Sequence, residues 1–225
     1  MLADAESWRN TVNRVKAEFF DTMATAPWAV DPFRAEDQPK LARLFMAAAV
    51  HPGAQVLEPG CGTGRLTMLL ADAVGPTGRV VALDISARMV QACRNRVGER
   101  QYVQVLQSAI EEYTVEPEAF DVAVCHQVFP HLDDTSSALA NLVRSLKPGG
   151  RLLVVHFANA DVINEIHRTA ASPIRQDRLP PPVEMRRLFV EAGLVVDWCT
   201  DDPLGYLVRG IRPAGPAQSI SPDAR

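Results

Sequence analysis

The chain has 225 residues, of which 47% are hydrophobic and 22% charged, and its formal net charge is −4. This composition is typical of a globular domain with a full hydrophobic core, and an acidic chain without a basic block argues against a nucleic-acid partner. No apolar run is long enough to span a membrane, the N-terminal residues lack leader features, and the four cysteines are widely separated, so we expect a cytoplasmic location, no membrane partner and reduced thiols.

The first fifty residues are predicted to form a helical cover. Apolar side chains recur there every three or four residues, at Trp8, Val12, Val15, Phe19 and Met23. This spacing is typical of one face of a helix. The segment 25–39 contains three prolines and is predicted to be irregular, and a second helix is expected over 41–48, before Pro52 and Gly53.

After this region, short strands alternate with helices. The predicted strands are 55–58, 80–83, 103–106, 120–125, 152–155, 194–198 and 205–210, and the predicted helices are 63–74, 86–97, 135–146, 161–168 and 183–192. Residues 147–150 are predicted to form a turn. The alternation predicts a doubly wound, Rossmann-like α/β fold in which seven strands form a mostly parallel sheet with helices on both faces and an antiparallel last strand. Ligands of such sheets bind at the carboxyl ends of the strands, beside the first strand.

A glycine-rich turn, V-L-E-P-G-C-G-T-G over 56–64, follows the first predicted strand. Its alternate glycines are Gly60, Gly62 and Gly64. Glycines in such a turn let the backbone approach a ligand closely. The dinucleotide fingerprint G-x-G-x-x-G would need a further glycine where the chain has Arg65 or Thr67. Glu58 would repel a diphosphate, so the turn favours a ligand that carries an ammonium or sulfonium charge.

A carboxylate, Asp84, ends the second predicted strand. In nucleotide-binding α/β domains a carboxylate at this place accepts hydrogen bonds from ribose hydroxyls. The alternative is that Asp84 only caps the following helix. Together with the glycine turn, its position favours the ribose role.

Four segments resemble the class I S-adenosylmethionine-dependent methyltransferases. They are 58–64, 83–86 together with Met89, 120–124 and 146–150. The resemblance covers about residues 54–156 and implies an enzyme that binds S-adenosylmethionine and methylates a small molecule. On this basis we divide the chain into a helical cover over 1–50 that is part of the same domain, an S-adenosylmethionine-binding domain over 51–212 and a disordered tail over 213–225.

The resemblance also implies a set of cofactor contacts. The residues that it assigns to the cofactor are Glu58, Gly60, Gly62, Gly64, Asp84, Ile85, Met89, Ser108, Ala109, Ile110 and Cys125. Asp84 would hold the ribose, Glu58 would lie near the amino group, and Cys125 would face the methyl group. Ser108 stands where the family often has aspartate, and its hydroxyl can accept one hydrogen bond from the adenine amino group. Met89 fits the adenine wall and the hydrophobic core equally well.

Histidines are concentrated after the later predicted strands, at His126, His131, His156 and His167. Strands four and five are predicted neighbours, so His126 and His156 are expected to face one crevice and are our catalytic candidates. A histidine there could act as general base, bind a divalent metal together with Asp177, or only line a pocket. We assign no metal ligand. The candidate acceptor-binding residues are Trp28, His131, His167 and Arg178.

The reaction implied is an in-line displacement, in which the acceptor attacks the sulfonium methyl group and the protein supplies alignment and desolvation. Two alternatives stay open. One is an enzyme of the same fold with another one-carbon donor or acceptor, such as a folate-like or halogenated compound. The other is a catalytically silent subunit that binds S-adenosylmethionine. The sequence does not name the acceptor or the oligomeric state, and a homodimer remains one option.

Overall fold

A seven-stranded sheet organises the computed structural model, which describes residues 14–170 and 172–214. The strands are β1 (Gln55–Pro59), β2 (Arg79–Asp84), β3 (Val103–Gln107), β4 (Phe120–His126), β5 (Leu146–His156), β6 (Val195–Asp202) and β7 (Gly205–Ile211). Their spatial order is β3-β2-β1-β4-β5-β7-β6, and β7 runs antiparallel to both of its neighbours, whereas β1 to β5 pair in parallel. The predicted sheet, including its antiparallel last strand, is confirmed.

Helices cover both faces of this sheet. They are α1 (Arg14–Met23), α2 (Pro27–Val30), α3 (Gln38–Ala48), α4 (Arg65–Val74), α5 (Ala87–Val97), α6 (Thr135–Ser145), α7 (Ala160–Thr169) and α8 (Pro182–Glu191). None of the helices in the described part of the chain has the length and apolar character needed to cross a membrane. Trp8, Val12 and residues 215–225 of the predicted tail lie outside the described residues.

The alternation of side chains along each strand divides the core into two layers. Val56 of β1 packs with Leu44 of α3 and Leu70 of α4 on one face of the sheet. The next residue, Leu57, packs with Leu142 of α6 on the other face. Both faces are therefore buried, as expected for a parallel sheet between helices.

The register of β4 against β5 corrects one expectation about the histidines. His126 pairs with Val155, one residue before His156. Because side chains at paired positions share a face and the next residue points to the opposite face, His126 and His156 lie on opposite faces of the sheet. The expectation that they face one crevice is wrong.

Residues 147–150, which were expected to form a turn, lie within β5. The pairing of β4 with β5 shifts register here, since Phe120 pairs with Leu146 and Val122 with Arg151. The extra residues of β5 are accommodated by this irregularity. Their backbone bonds instead to Arg212, which accepts from Gly149 N and donates to the carbonyl of Gly150, both at 2.8 Å.

The tight connection between β6 and β7 depends on Gly205. Its φ of +104° lies in the region that favours glycine, and a Cβ atom there would lie 2.2 Å from the carbonyl oxygen of His156. Arg43 of α3 holds the same connection, with Nη1 donating at 2.8 Å to both carboxylate oxygens of Asp202 and Nη2 donating at 2.9 Å to the carbonyl of Gly205. The hairpin is thereby fixed against the end of β5.

We expect Gly205→Ala to lower the free energy of unfolding by on the order of 3 kcal/mol, because the new Cβ collides with backbone that has no room to move. Gly193→Ala is the matched control, since Gly193 also has positive φ (+90°) but no atom lies within 4 Å of a Cβ at this position. It should cost only about 1 kcal/mol for its backbone conformation. Urea denaturation of both variants measures the difference, and equal losses would contradict the proposed collision.

Candidate functional site

The carboxyl ends of the first strands open into a cavity of about 690 Å³, here called the main cavity. The predicted cofactor residues that line it are Gly60, Gly62, Asp84, Ile85, Met89, Ser108, Ala109 and Ile110. Trp28 and His131, both predicted to bind the acceptor, line it as well. Other lining residues were not assigned from the sequence, among them Glu111, Gln127, Val128 and Leu132. The structure thus brings together segments that follow β1, β2, β3 and β4, as expected at the switch point of such a sheet.

Close packing determines the shape of the glycine turn. Gly60 has a φ of +69°, and a Cβ atom on it would lie 2.3 Å from Cγ2 of Val128, which follows β4. Cys61 N donates to the carbonyl of Leu83 at 2.9 Å. Gly64 lines neither the main cavity nor the smaller cavity beside it. It packs against α5 instead, since its Cβ would lie 2.7 Å from Sγ of Cys93.

Asp84 is held in place by two backbone donors on the wall of the main cavity. Its Oδ2 accepts from Gly62 N at 2.8 Å and its Oδ1 from Ser86 N at 2.9 Å. Burial raises its pKa to about 6 although these hydrogen bonds oppose the shift. The side chain that caps α5 is Ser86, whose Oγ accepts from Met89 N at 3.1 Å. The helix is therefore capped without a side-chain bond from Asp84.

A second cavity of about 470 Å³ adjoins the first and shares Trp28, Gly60 and Gly62 with it. Glu58 lies in its wall and is buried, with Oε2 accepting from Oγ1 of Thr67 at 2.6 Å. Burial raises the pKa of Glu58 well above its ordinary value. This carboxyl belongs to the glycine-rich segment 56–64, and it lines the second cavity together with Gly60 and Gly62.

His126 also lines the second cavity. Its ring packs between Phe33 and Phe157, with ring centroids 6.0 and 4.7 Å away, and its buried Nε2 has no hydrogen-bond partner among the described residues. Desolvation, reinforced by the charge of Arg65, lowers its pKa to about 3. The imidazole is therefore neutral at physiological pH and accepts a proton weakly.

Cys125 lies in the hydrophobic layer between the sheet and α6, and neither Cys125 nor His156 lines the two cavities. His156 is buried against Tyr206, with ring centroids 6.2 Å apart, and burial lowers its pKa well below the ordinary value. Cys125 is fully buried among apolar residues, and burial raises the pKa of its thiol to about 12. His156 remains a neutral imidazole and Cys125 a protonated thiol.

A polar cluster lies at the edge of the main cavity, around His131. Its Nδ1 donates to Oδ2 of Asp177 at 2.6 Å, and Oδ1 of the same carboxylate accepts from Nζ of Lys16 at 2.9 Å. Lys16 also pairs with Asp133 at 2.7 Å. His167 lies beside His131, with ring centroids 4.9 Å apart. We refer to Lys16, His131, Asp133, His167 and Asp177 as the histidine–aspartate cluster.

The proline-rich segment that carries Asp177 is held by α7. Asn164 bonds to both the backbone N–H and the carbonyl of Leu179, at 2.8 and 3.0 Å, and Nδ1 of His167 donates to the carbonyl of Asp177 at 3.0 Å. Burial lowers the pKa of His167. Arg178, predicted to bind the acceptor, is exposed and lies 3.6 Å from Glu184, outside both cavities.

The N-terminal cover is attached to the glycine turn through α2. A helix of four residues leaves its own carbonyls without intrahelical partners. Side chains from the turn, from α4 and from α5 donate to three of these carbonyls: Thr63 Oγ1 to Ala29, Arg65 to Trp28 at 2.7 Å, and Arg96 to Val30 at 2.8 Å. Arg96 also donates to the carbonyl of Thr63 at 2.9 Å, so one guanidinium bridges cover and turn.

Comparison with known proteins shows a methyltransferase relationship. The model of the methyltransferase domain family matches residues 50–185. The ubiquinone/menaquinone biosynthesis C-methyltransferase UbiE of Ectopseudomonas mendocina is 39% identical over 114 residues, which are 49% of this chain and 44% of that protein. The malonyl-[acyl-carrier protein] O-methyltransferase of Anoxybacillus flavithermus is 30% identical over 152 residues, 68% of this chain and 57% of that protein. The matched part spans about half the length of these curated relatives.

Solved structures share the fold. The crystal structure of a SAM dependent methyltransferase from Aquifex aeolicus superposes with a TM-score of 0.66 and 21% sequence identity, over 87% of this chain and 98% of that chain. This structural similarity covers a larger share of the chain than the residues 50–185 that the family model matches.

We expect Arg96→Met to lower the free energy of unfolding by about 1–2 kcal/mol, because it leaves the carbonyls of Thr63 and Val30 without their donor. Amide hydrogen exchange should accelerate in α2 in particular, since the cover loses its bridge to the turn. Arg88→Met on the same helix is the control, because the exposed Arg88 side chain makes no hydrogen bond with the described residues. Its effect should stay below about 0.5 kcal/mol. Unchanged exchange in α2 of Arg96→Met would show that the bridge does not hold the cover.

Proposed function

The chain belongs to the methyltransferase domain family, and on this premise we propose that it transfers a methyl group from S-adenosylmethionine to a small-molecule acceptor. The observation that carries the proposal is Asp84, whose carboxylate is held by two backbone N–H groups on the wall of the main cavity. A carboxylate in this position is suited to accept hydrogen bonds from the two ribose hydroxyls. The net charge of −4 favours a small molecule over nucleic acid as the acceptor. Location in the cytoplasm stays a prediction.

The residues around Asp84 fit the rest of an adenosyl group. Ile85, Met89 and Ile110 supply apolar walls for a flat base. The hydroxyl of Ser108 donates to the carbonyl of Ala109 at 3.0 Å, so its oxygen keeps lone pairs that can accept from an adenine amino group. This arrangement supports serine as a replacement for the aspartate that the family often has there.

The second cavity is suited to the methionine part. The carboxyl of Glu58 lies in its wall beside Gly60 and Gly62, where it can accept from an ammonium group. S-adenosylmethionine supplies a methyl group that its positive sulfur makes reactive. The protein aligns the acceptor and excludes water, and the partly exposed Trp28, which lines both cavities, is placed to close over the bound molecules.

The names of the curated relatives support methyl transfer to an organic acceptor. One relative is a C-methyltransferase of ubiquinone/menaquinone biosynthesis and the other is an O-methyltransferase of malonyl-[acyl-carrier protein]. Carbon and oxygen are both represented, so what we carry over to this chain is the transfer of methyl to a small organic group. We propose that histidines of the main and second cavities, His131 and His126, line the acceptor side.

Isothermal calorimetry with S-adenosylmethionine and S-adenosylhomocysteine tests the proposal. We expect both to bind, and Asp84→Asn to weaken binding by about 10- to 100-fold, because the charged acceptor of the ribose hydroxyls is lost. Asp72→Asn is the control, since Asp72 pairs with Arg100 on the exposed side of α4. Binding of neither compound would point to another one-carbon donor. Binding without release of S-adenosylhomocysteine across a broad panel of acceptors would indicate a silent subunit.

The affinity for S-adenosylhomocysteine should also depend on pH. The pKa of Asp84 is raised to about 6, so the carboxylate form dominates above this pH and the protonated form below it. Only the carboxylate accepts from both ribose hydroxyls, and the affinity should fall by about tenfold as pH falls from about 7 to about 5. Calorimetry over this range measures the change. A dependence of the same size in Asp84→Asn would assign it to another group, such as Glu58.

A further inference from the structure

We propose that His131, held by Asp177, is the general base that removes a proton from the acceptor, and that the acceptor is an alcohol or phenol. This inference rests on the proposed methyltransferase function and adds the class of acceptor. A base is needed only where the attacking atom keeps its proton at neutral pH, as hydroxyl oxygen does and an ionised thiol does not. A hydroxyl acceptor meets this condition, so the reaction that we propose is O-methylation.

The position of His131 is the first observation. The residue ends a short 3₁₀-helix, Phe129–His131, directly after β4, and it lines the main cavity between the glycine turn and the cover. Phe20 of α1 packs edge-on against its ring, with centroids 5.1 Å apart. The imidazole is thus held in one orientation at the wall of the space in which the proposed reaction takes place.

The second observation is the orientation of the proton. A carboxylate only accepts hydrogen bonds, so the 2.6 Å contact with Asp177 places the proton of a neutral His131 on Nδ1. The lone pair is then on Nε2, which makes no hydrogen bond with any residue that the structure describes. A histidine with this tautomer, an acidic partner on one nitrogen and a free lone pair on the other has the arrangement of a general base.

The net charge of the cluster is the third observation. Lys16 carries one positive charge, and Asp133 and Asp177 carry two negative charges, so the cluster has one net negative charge while His131 is neutral. Burial alone would raise the pKa of Asp177, but the hydrogen bonds from His131 and Lys16 hold it below its ordinary value. A proton on His131 brings the cluster to neutrality.

Two other groups face the same imidazole or its cavity. His167 lies against the ring, and its own low pKa keeps it neutral, so it adds no opposing charge. Glu111 lines the main cavity and accepts from Asp133 N at 3.1 Å, and burial raises its pKa. As a carboxylate it would add negative charge near His131.

The other histidines at the carboxyl ends of the strands, His126 and His156, lack these features. Nε2 of His126 and of His156 is buried without a hydrogen-bond partner among the described residues. Neither imidazole has a carboxylate partner within the described chain, and burial lowers both pKa values. His131 is therefore the best placed of the three to take a proton.

In the proposed step the acceptor oxygen forms a bond to the methyl carbon, and the carbon–sulfur bond breaks with its electron pair left on sulfur. The hydroxyl proton passes to Nε2 of His131. The products are the methyl ether, S-adenosylhomocysteine and a His131 imidazolium paired with Asp177, which later loses its proton to solvent. Asp177 is a positioning residue, since it acts through His131.

The tautomer of His131 tests the arrangement without any substrate. Long-range ¹H–¹⁵N correlation spectra of the ¹⁵N-labelled protein report which ring nitrogen carries the proton, and the His131→Asn spectrum assigns the signal. In its neutral form, wild-type His131 should carry the proton on Nδ1, and Asp177→Asn should shift the population towards the Nε2–H form. Asp161→Asn, at an exposed acid of α7, should change nothing. A wild-type Nε2–H form would overturn the proposal.

Two acceptor probes, phenol and thiophenol, distinguish a general base at position 131 from a purely structural role of that histidine. Phenol keeps its proton at about pH 8, whereas thiophenol is largely ionised, and their methylation is followed by release of S-adenosylhomocysteine. His131→Asn should lower phenol methylation by about 100-fold or more and change thiophenol methylation by less than about threefold. His51→Asn, at an exposed histidine on the opposite edge of the sheet, should affect neither.

Equal losses with both probes, or phenol methylation that survives in His131→Asn, would overturn the assignment of a base. If the wild-type protein methylates neither probe, the tautomer measurement decides the proposal by itself. Failure of the underlying function gives a different result, because calorimetry would then detect no binding of S-adenosylmethionine to the wild-type protein.

Discussion

The rest of the site depends on the fixed shape of the glycine turn after β1. The turn is held from three sides: Cys61 N bonds to the carbonyl of Leu83 in β2, Gly62 N bonds to Asp84, and Arg96 of α5 bonds to the carbonyl of Thr63. Gly60 meets Val128 so closely that no side chain fits between them. These contacts bring the carboxyl ends of β1, β2 and β4 into one wall. The main cavity exists because backbone rather than side chains occupies that wall.

Local sequence patterns predicted the strand ends, the glycine turn and Asp84 well. The strands followed from short apolar runs between turn signals, and the glycine turn and Asp84 are each encoded within a few consecutive residues. Two features of the fold were not predictable in this way. His126 and His156 point to opposite faces of the sheet because of a one-residue difference in strand register. Residues 147–150 are predicted to form a turn because two glycines follow a proline, yet they lie within β5, where their backbone bonds to the distant Arg212.

The partner of His131 could not be predicted from local sequence patterns either. His131 and Asp177 are 46 residues apart and meet only because α7 holds the proline-rich segment against the cavity edge. The sequence marked both residues as polar groups near the crevice, and Asp177 was considered there only as a metal ligand. Charge, proline content and helical spacing do not specify which carboxylate will pair with which imidazole. This pairing is a property of the tertiary structure.

In the function that we propose, the two halves of the site differ in how they are built, and one would hold the methyl donor and the other the acceptor. The donor side consists of strand ends and the turn, which are positioned by the parallel sheet itself. The acceptor side is assembled from elements around the sheet, because Lys16 comes from α1 and Asp177 from the segment between α7 and α8. Lys16 precedes the residues that the family model matches. A buried lysine is stable there only while both carboxylates are in place, so docking of α1 and the charge on Asp177 depend on each other. Through that ion pair, the cover also contributes to the electrostatic environment of His131 at the wall of the main cavity.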